Sequence, residues 1–162
     1  MNGFEVRNAT IDDIDDIAKI TKEAFEKYAE LANINPINFE PLCETLDDIR
    51  RDVENKIVFV AFMDDMPVGS VRIAVDRDNK TAYMSRFGVK LSMQNNGIGK
   101  SLINLVDIKM RGLGITRLSL HTGSKITPLV RFYYGRGFYV DSTARDRGYI
   151  RALLHKDYPA VI

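Results

Sequence analysis

The residues best suited to chemistry stand in one short stretch, Gln94-Asn95-Asn96-Gly97-Ile98-Gly99-Lys100. It follows a strand-like run from Thr81 to Val89. It opens a helix-like run in which Ile98, Leu102, Leu105, Val106 and Met110 share one face. A strand, a polar glycine turn and a helix bring unpaired backbone N–H groups and the positive end of a helix dipole to one spot. Such a spot binds phosphate. Gly97 and Gly99 suit it, because without a Cβ an anion can approach the main chain. Three anion-loop patterns compete with an ordinary strand-to-helix turn. A Walker A loop finds its ending in Gly99-Lys100-Ser101, but Gln94 stands where its first glycine is required. A dinucleotide fingerprint fails at Leu102, and no acidic residue stands near Ser119 to hold a ribose. The third pattern, Q/R-x-x-G-x-G/A, is met by Gln94, Gly97 and Gly99 at every fixed position.

Other chemistries find little support. Cys43 is the only cysteine, so no internal disulfide forms, which suits a reducing compartment. One cysteine with His121 and His155 makes no zinc-ligand spacing, and no metal is expected. Lys and Arg number 23 against 22 Asp and Glu, a net charge of +1, and no basic run appears. Nucleic acid is therefore not an expected partner. The N-terminus has no apolar signal core, and the longest apolar run, Ile57 to Met63, is too short to span a bilayer. No membrane association and a cytoplasmic location are expected. The 162 residues are read as a single domain, 1–162, of a size that buries roughly 68–70% of its unfolded surface without staples.

The elements that must position the loop follow from periodicity and caps. Phe4 to Asn8 alternates as a short strand. Thr10 precedes Asp12 and Asp13 as a helix N-cap, and Ile14, Ile17, Thr21, Ala24, Phe25 and Tyr28 form one face of a helix ending near Glu30. Leu31 to Glu44 holds Pro36 and Pro41 and no clear period, which marks a long loop, functional or merely connecting. Thr45 caps a second helix through Leu46, Ile49 and Val53. Lys56–Met63, Val68–Val75 and Thr81–Val89 form an antiparallel meander. Gly112 and Gly114 end the helix that follows the loop. Arg117 to Thr122 is a strand, Thr127-Pro128 reads as N-cap and first helical residue, and Gly135 and Gly137 stop that helix. Phe138–Thr143 and Tyr149–His155 are the last strands. The order is β-α-α-β-β-β-α-β-α-β-β, a mixed α/β fold. Its Thr81–Thr122 crossover implies one parallel pair in an otherwise antiparallel sheet. Ligands in such sheets lie at the carboxyl ends of strands, here Val89 and Thr122.

A second stretch, Phe132-Tyr133-Tyr134-Gly135-Arg136-Gly137-Phe138, resembles the F-Y-x-x-x-G-F motif of the GNAT superfamily of N-acetyltransferases, and the glycine loop is similar to that family's pyrophosphate loop. The resemblance extends from Phe4 to His155 in element order and is strongest over Thr81 to Phe138. It implies transfer of an acetyl group from acetyl-coenzyme A to a small-molecule amine or to a peptide or protein amine, and it is compatible with a homodimer. It implies that the backbone of Phe87, Gly88 and Val89 pairs with the pantetheine arm like an added strand. It also implies that N–H groups of Gln94, Asn95, Asn96, Gly97, Ile98, Gly99 and Lys100 hold the pyrophosphate. Tyr133 falls on the tyrosine that protonates the departing thiolate. By itself, Tyr133 reads as a core residue on an apolar helix face. Two departures stand out. Ile126 replaces a common Asn, and Tyr83-Met84-Ser85-Arg86 lacks the carboxylate often used as base. They leave open a non-catalytic acyl-coenzyme A-binding regulatory domain of the same fold.

An alkyl ammonium, with a pKa near 10.4, must lose a proton before it attacks a thioester. His121, ending the strand Leu118-Ser119-Leu120-His121, is the candidate base, with a structural histidine as the bland alternative. The acceptor pocket of the family implies roles for the first inter-helix loop, with Asn33, Asn35, Asn38 and Glu40. It implies the same for the last hairpin loop, where Arg145 and Arg147 either hold a substrate carboxylate or are solvated surface.

Overall fold

The computed structural model describes residues 3–159. Seven strands form one sheet in the order β1-β2-β3-β4-β5-β7-β6. They are β1 (Phe4–Asn8), β2 (Ile57–Met63), β3 (Met66–Asp76), β4 (Thr81–Val89), β5 (Arg117–Gly123), β6 (Tyr139–Ala144) and β7 (Arg151–Asp157). Five α-helices accompany them: α1 (Ile14–Ala32), α2 (Glu40–Cys43), α3 (Leu46–Asn55), α4 (Ile98–Gly112) and α5 (Thr127–Gly135). All neighbouring strands are antiparallel except β4 and β5, as the crossover requires. No described helix is long and apolar enough to cross a membrane.

Thr10 caps a 3-10 turn at Ile11–Asp13 that runs straight into α1, and Thr45 caps α3. Thr10 and Thr45 each accept from a backbone N–H of the first turn, and Asp13 and Asp48 return the bond to the cap residue's own N–H. Asn33 closes α1 in the left-handed conformation at φ 55°. The structure differs from the sequence reading in strand bounds, with β3 starting at Met66 rather than Val68 and β7 spanning Arg151–Asp157 rather than Tyr149–His155, and at two places around the helices. The segment Leu31 to Glu44 is not one loop. It carries the last residues of α1, a 3-10 turn at Pro36–Asn38 and the one-turn α2. At α5 the cap is Ile126, with no side-chain bond, so Thr127 is already helical. A Thr-Pro pair fits both positions, because proline is tolerated throughout the first turn, where its missing N–H has no partner to lose.

One core lies between the sheet and α4, where Leu102, Ile103, Val106 and Met110 pack against Val71, Ile73, Met84, Leu118 and Leu120. A second lies under α1 and α3, around Ile17, Ile49, Val58 and Val60. Two irregularities open the middle of the sheet. β4 and β5 pair only from Thr81–Tyr83 to Arg117–Ser119, and the pairing stops there. Beyond it, β4 carries an extra residue opposite β3, between Ser85 and Gly88, with Arg86 at φ 52°. The strands diverge from that point, and the carboxyl half of β4 keeps one edge free of a strand partner.

Candidate active site

The glycine loop leads from β4 into α4. Gly97 is the N-cap of α4 at φ 78°, a left-handed conformation that favours glycine, and no side chain caps the helix. The first helical bond runs from Ser101 N–H to Gly97 at 3.0 Å, so the N–H groups of Ile98, Gly99 and Lys100 lie ahead of it without intrahelical acceptors. Ile98 is buried in the core and anchors the turn. A Cβ at Gly99 would lie 3.1 Å from Cζ of Phe87 and 3.4 Å from Cζ of Phe132, two rings stacked at 5.7 Å. Glycine thus keeps open the space where the loop meets the cleft. Asn95 stands at φ 67°, Asn96 donates to Met93 O at 3.3 Å, and Gln94 donates to Val89 O at 3.4 Å. The Gln94 and Asn96 side chains brace the loop, but the backbone N–H of Gln94 already donates to Leu91 O at 3.3 Å, so it is not among the free donors that the resemblance implies. Gly88 backs onto α1, where a Cβ would meet Ala24 at 2.8 Å. The residues present therefore fit a pyrophosphate-bearing arm running along β4 to the N-terminus of α4.

A cavity of about 440 Å³ occupies the cleft. Its inner end is lined by Phe87, Leu129, Thr122 and Tyr133. Tyr133 is 6% exposed, ringed by Phe87, Phe132 and Phe138, and its hydroxyl has no hydrogen-bond partner among the described residues. Burial alone pushes its pKa well above the usual phenol range, so it is a proton donor at any ordinary pH. Tyr134, on the next helical position, is 53% exposed. Oγ1 of Thr122 is buried with no partner, a polar atom aimed at nothing else in the described protein.

His121 lies on the same cavity wall. Its Nδ1 is 2.5 Å from the phenol oxygen of Tyr83, across the point where β4 and β5 part. Burial lowers the pKa of His121 below its ordinary value, and the nearby Arg151 lowers it further. The imidazole is therefore held neutral at pH 7.

The outer end of the cavity is framed by α1, α2 and the β6–β7 turn. Tyr28 stacks on Phe39 at 5.6 Å and shares a hydrogen bond of 3.0 Å with Tyr149. Glu40 accepts from Arg147 at 2.7 Å, which ties α2 to the β6–β7 turn. Arg147 is thus an exposed residue paired with Glu40 and still on the cavity lining, and Arg145 is exposed and outside that lining. Sequence reasoning missed Tyr83, Arg86 and Arg151 as cavity residues. The positive φ of Arg86 and the Tyr83–His121 contact arise from pairing between strands, which leaves no local signal.

The Acetyltransferase (GNAT) family model matches residues 15–138, well over half of the chain. No curated protein matches the sequence. Among solved structures, the chain is similar to the PaiA N-acetyltransferase from Thermoplasma acidophilum in complex with coenzyme A. The TM-score is 0.81 at 20% identity, covering 96% of this chain and 99% of that one. A ribosomal-protein-alanine N-acetyltransferase from Brucella melitensis matches with TM-score 0.75 at 18% identity, covering 95% and 99%. A SpeG spermidine N-acetyltransferase chimera from Vibrio cholerae matches with TM-score 0.77 at 16% identity, covering 96% of both chains. At these identities the structures establish the fold, and the family match establishes descent. The uncapped glycine loop, the parted strands and that match together place this chain in the GNAT family of acetyltransferases, which use acetyl-coenzyme A.

Proposed function

We propose that this protein is an N-acetyltransferase that moves the acetyl group of acetyl-coenzyme A to a primary amine by direct attack. Acetyl-coenzyme A supplies the thioester, whose carbonyl carbon gains a C–N bond as its C–S bond breaks. The free edge of β4 at Phe87–Val89 aligns the arm, and the N–H groups from Asn95 to Lys100 hold the pyrophosphate. His121 takes the proton that the amine loses. Before that transfer the ring is neutral, with Nδ1–H donating to Tyr83 and the Nε2 lone pair free to receive the proton. Tyr133 gives its hydroxyl proton to the departing sulfur. The observation that carries the reading is the phenol of Tyr133, buried on the cavity wall with no partner of its own. The ring is buried, and the hydroxyl oxygen keeps access to the cavity, where a ligand atom can accept its proton. The exposed, unpaired Cys43 fits a reducing compartment, and a cytoplasmic setting belongs to the same proposal. The test is release of free thiol from acetyl-coenzyme A with a panel of amino acids, polyamines and peptides. Amine-dependent release is expected. Binding of the coenzyme with no release for any amine would leave a binding domain without turnover.

A further inference from the structure

The charged groups on the cavity wall are uneven. Arg86, Arg147 and Arg151 line it, and Glu40 is the only carboxylate among the lining residues. Two of the arginines are engaged. Arg147 donates to Glu40 at 2.7 Å, and Arg151 donates to the exposed Asp146 at 2.8 Å. Arg86 differs. Only its Nε reaches an acceptor, Glu44 Oε2 at 3.4 Å, and Glu44 is already held by Arg72 through bonds of 2.7 and 2.8 Å. Glu40 lies 3.9 Å from Nη2 of Arg86, beyond hydrogen-bond reach. The two terminal nitrogens of Arg86 therefore have no hydrogen-bond acceptor among the described residues. Its backbone is also unusual, at φ 52° in the extra-residue position of β4. A non-glycine residue rarely occupies that region, and such strain clusters where a side chain must be aimed. The chain thus holds a planar, two-pronged cation on the cavity wall within ion-pair distance of Glu44 and Glu40, yet leaves both terminal nitrogens without a hydrogen-bond acceptor among the described residues.

We propose that the acceptor is an amine bearing its own carboxylate, an amino acid, and that Arg86 receives that carboxylate through its two terminal nitrogens. The assignment rests on the acetyltransferase reading of the same cavity. A guanidinium fork matches a carboxylate in geometry and charge, and a bidentate pair also fixes orientation. Arg147 and Arg151 add a positive field at the same end. That field disfavours a second cation there, which argues against polyamines, and it favours the neutral form of the attacking amine. The bridge between Glu40 and Arg147 closes the outer side between α2 and the β6–β7 turn, so a free amino acid fits where a long chain would have to part it. The aromatic wall of Phe25, Tyr28 and Phe39 selects apolar or flat side chains.

The experiment compares the twenty amino acids, their carboxamides, and the polyamines as acceptors, using the wild type and the variants Arg86→Gln and Arg86→Lys. Wild type is expected to favour an amino acid over its carboxamide by about 10- to 100-fold in kcat/KM, the worth of a hydrogen-bonded charge pair. Arg86→Gln is expected to raise KM for the amino acid by a similar factor with kcat nearly unchanged and to leave the carboxamide unaffected; Arg86→Lys falls between. Equal turnover of acid and carboxamide, or better turnover of polyamines, overturns the proposal while leaving the acetyltransferase reading intact. If no acceptor of any kind is acetylated, thermal stabilisation by N-acetylphenylalanine against N-acetylphenylalaninamide, with coenzyme A present, decides the carboxylate site. Stabilisation by the acid alone, lost in Arg86→Gln, supports it, and equal or absent stabilisation rejects it.

Discussion

The phenol oxygen of Tyr83 lies 2.5 Å from Nδ1 of His121, joining β4 to β5 at the last point before the strands part. Burial is the main cause that lowers the His121 pKa from its ordinary value of 6.5, and Arg151 contributes. As a base, His121 works when neutral, so activity is lost as pH falls through its pKa. The acidic limb of the pH–rate profile is therefore expected below pH 6.5. His121→Ala should flatten that limb and cost roughly 10²-fold in rate. A variant that keeps both rate and limb makes His121 structural.

Adjacent tyrosines on α5 offer a controlled comparison. Tyr133→Phe removes one hydroxyl that bonds to nothing in the described protein, so folding should survive. An expected fall of roughly 10²-fold in kcat, with coenzyme affinity little changed, reports a proton donor. Tyr134 is 53% exposed, and Tyr134→Phe should leave kcat alone. The reverse pattern would transfer the acid role to Tyr134.

The two loop glycines should fail differently. At Gly99 a Cβ meets Phe87 at 3.1 Å, so Gly99→Leu crowds the stacked rings and the ligand path. Coenzyme A should then lose its thermal stabilisation of the protein. At Gly97 a Cβ meets nothing within 4 Å, but φ is 78°. Gly97→Ala should cost about 1 kcal/mol in stability from backbone strain alone. Calorimetry with coenzyme A and with ATP checks both variants. Stabilisation of the wild type by ATP and not by coenzyme A would return the loop to a nucleotide-triphosphate reading.

Beneath the site, Arg72 is fully buried and donates to Glu44, Asp52 and Thr21. Arg72→Ala removes the buried cation between two carboxylates, leaving Glu44 only the longer contact to Arg86 and Asp52 only Lys56. Asp52 and Glu44 keep some solvent contact, so the expected loss is about 3 kcal/mol, the low end for a broken buried pair. Adding Glu44→Gln and Asp52→Asn should recover part of it. Urea unfolding of the single and triple variants tests the sign of that recovery.

The features legible along the chain are local. The helix faces at Ile14–Tyr28 and Ile98–Met110, the boxes at Thr10 and Thr45, the left-handed glycine before α4 and the strand alternations all depend on residues within a few positions of one another. Periodicity and capping act over that range. The parallel pair also followed, because a strand–helix–strand unit has one favoured hand and direction. Even local signals were ambiguous where two registers satisfy the same residues, as at Ile126-Thr127-Pro128. The candidate site needed tertiary structure. The sheet places β7 between β5 and β6, which sets Arg151 beside Gly123 and within electrostatic reach of His121. Tyr83 meets His121 across 38 residues, and Glu40 meets Arg147 across 107. No pattern along the chain encodes those distances. They follow from strand order, from a ladder that stops after three pairs, and from one extra residue at Arg86 that turns its side chain toward the cleft.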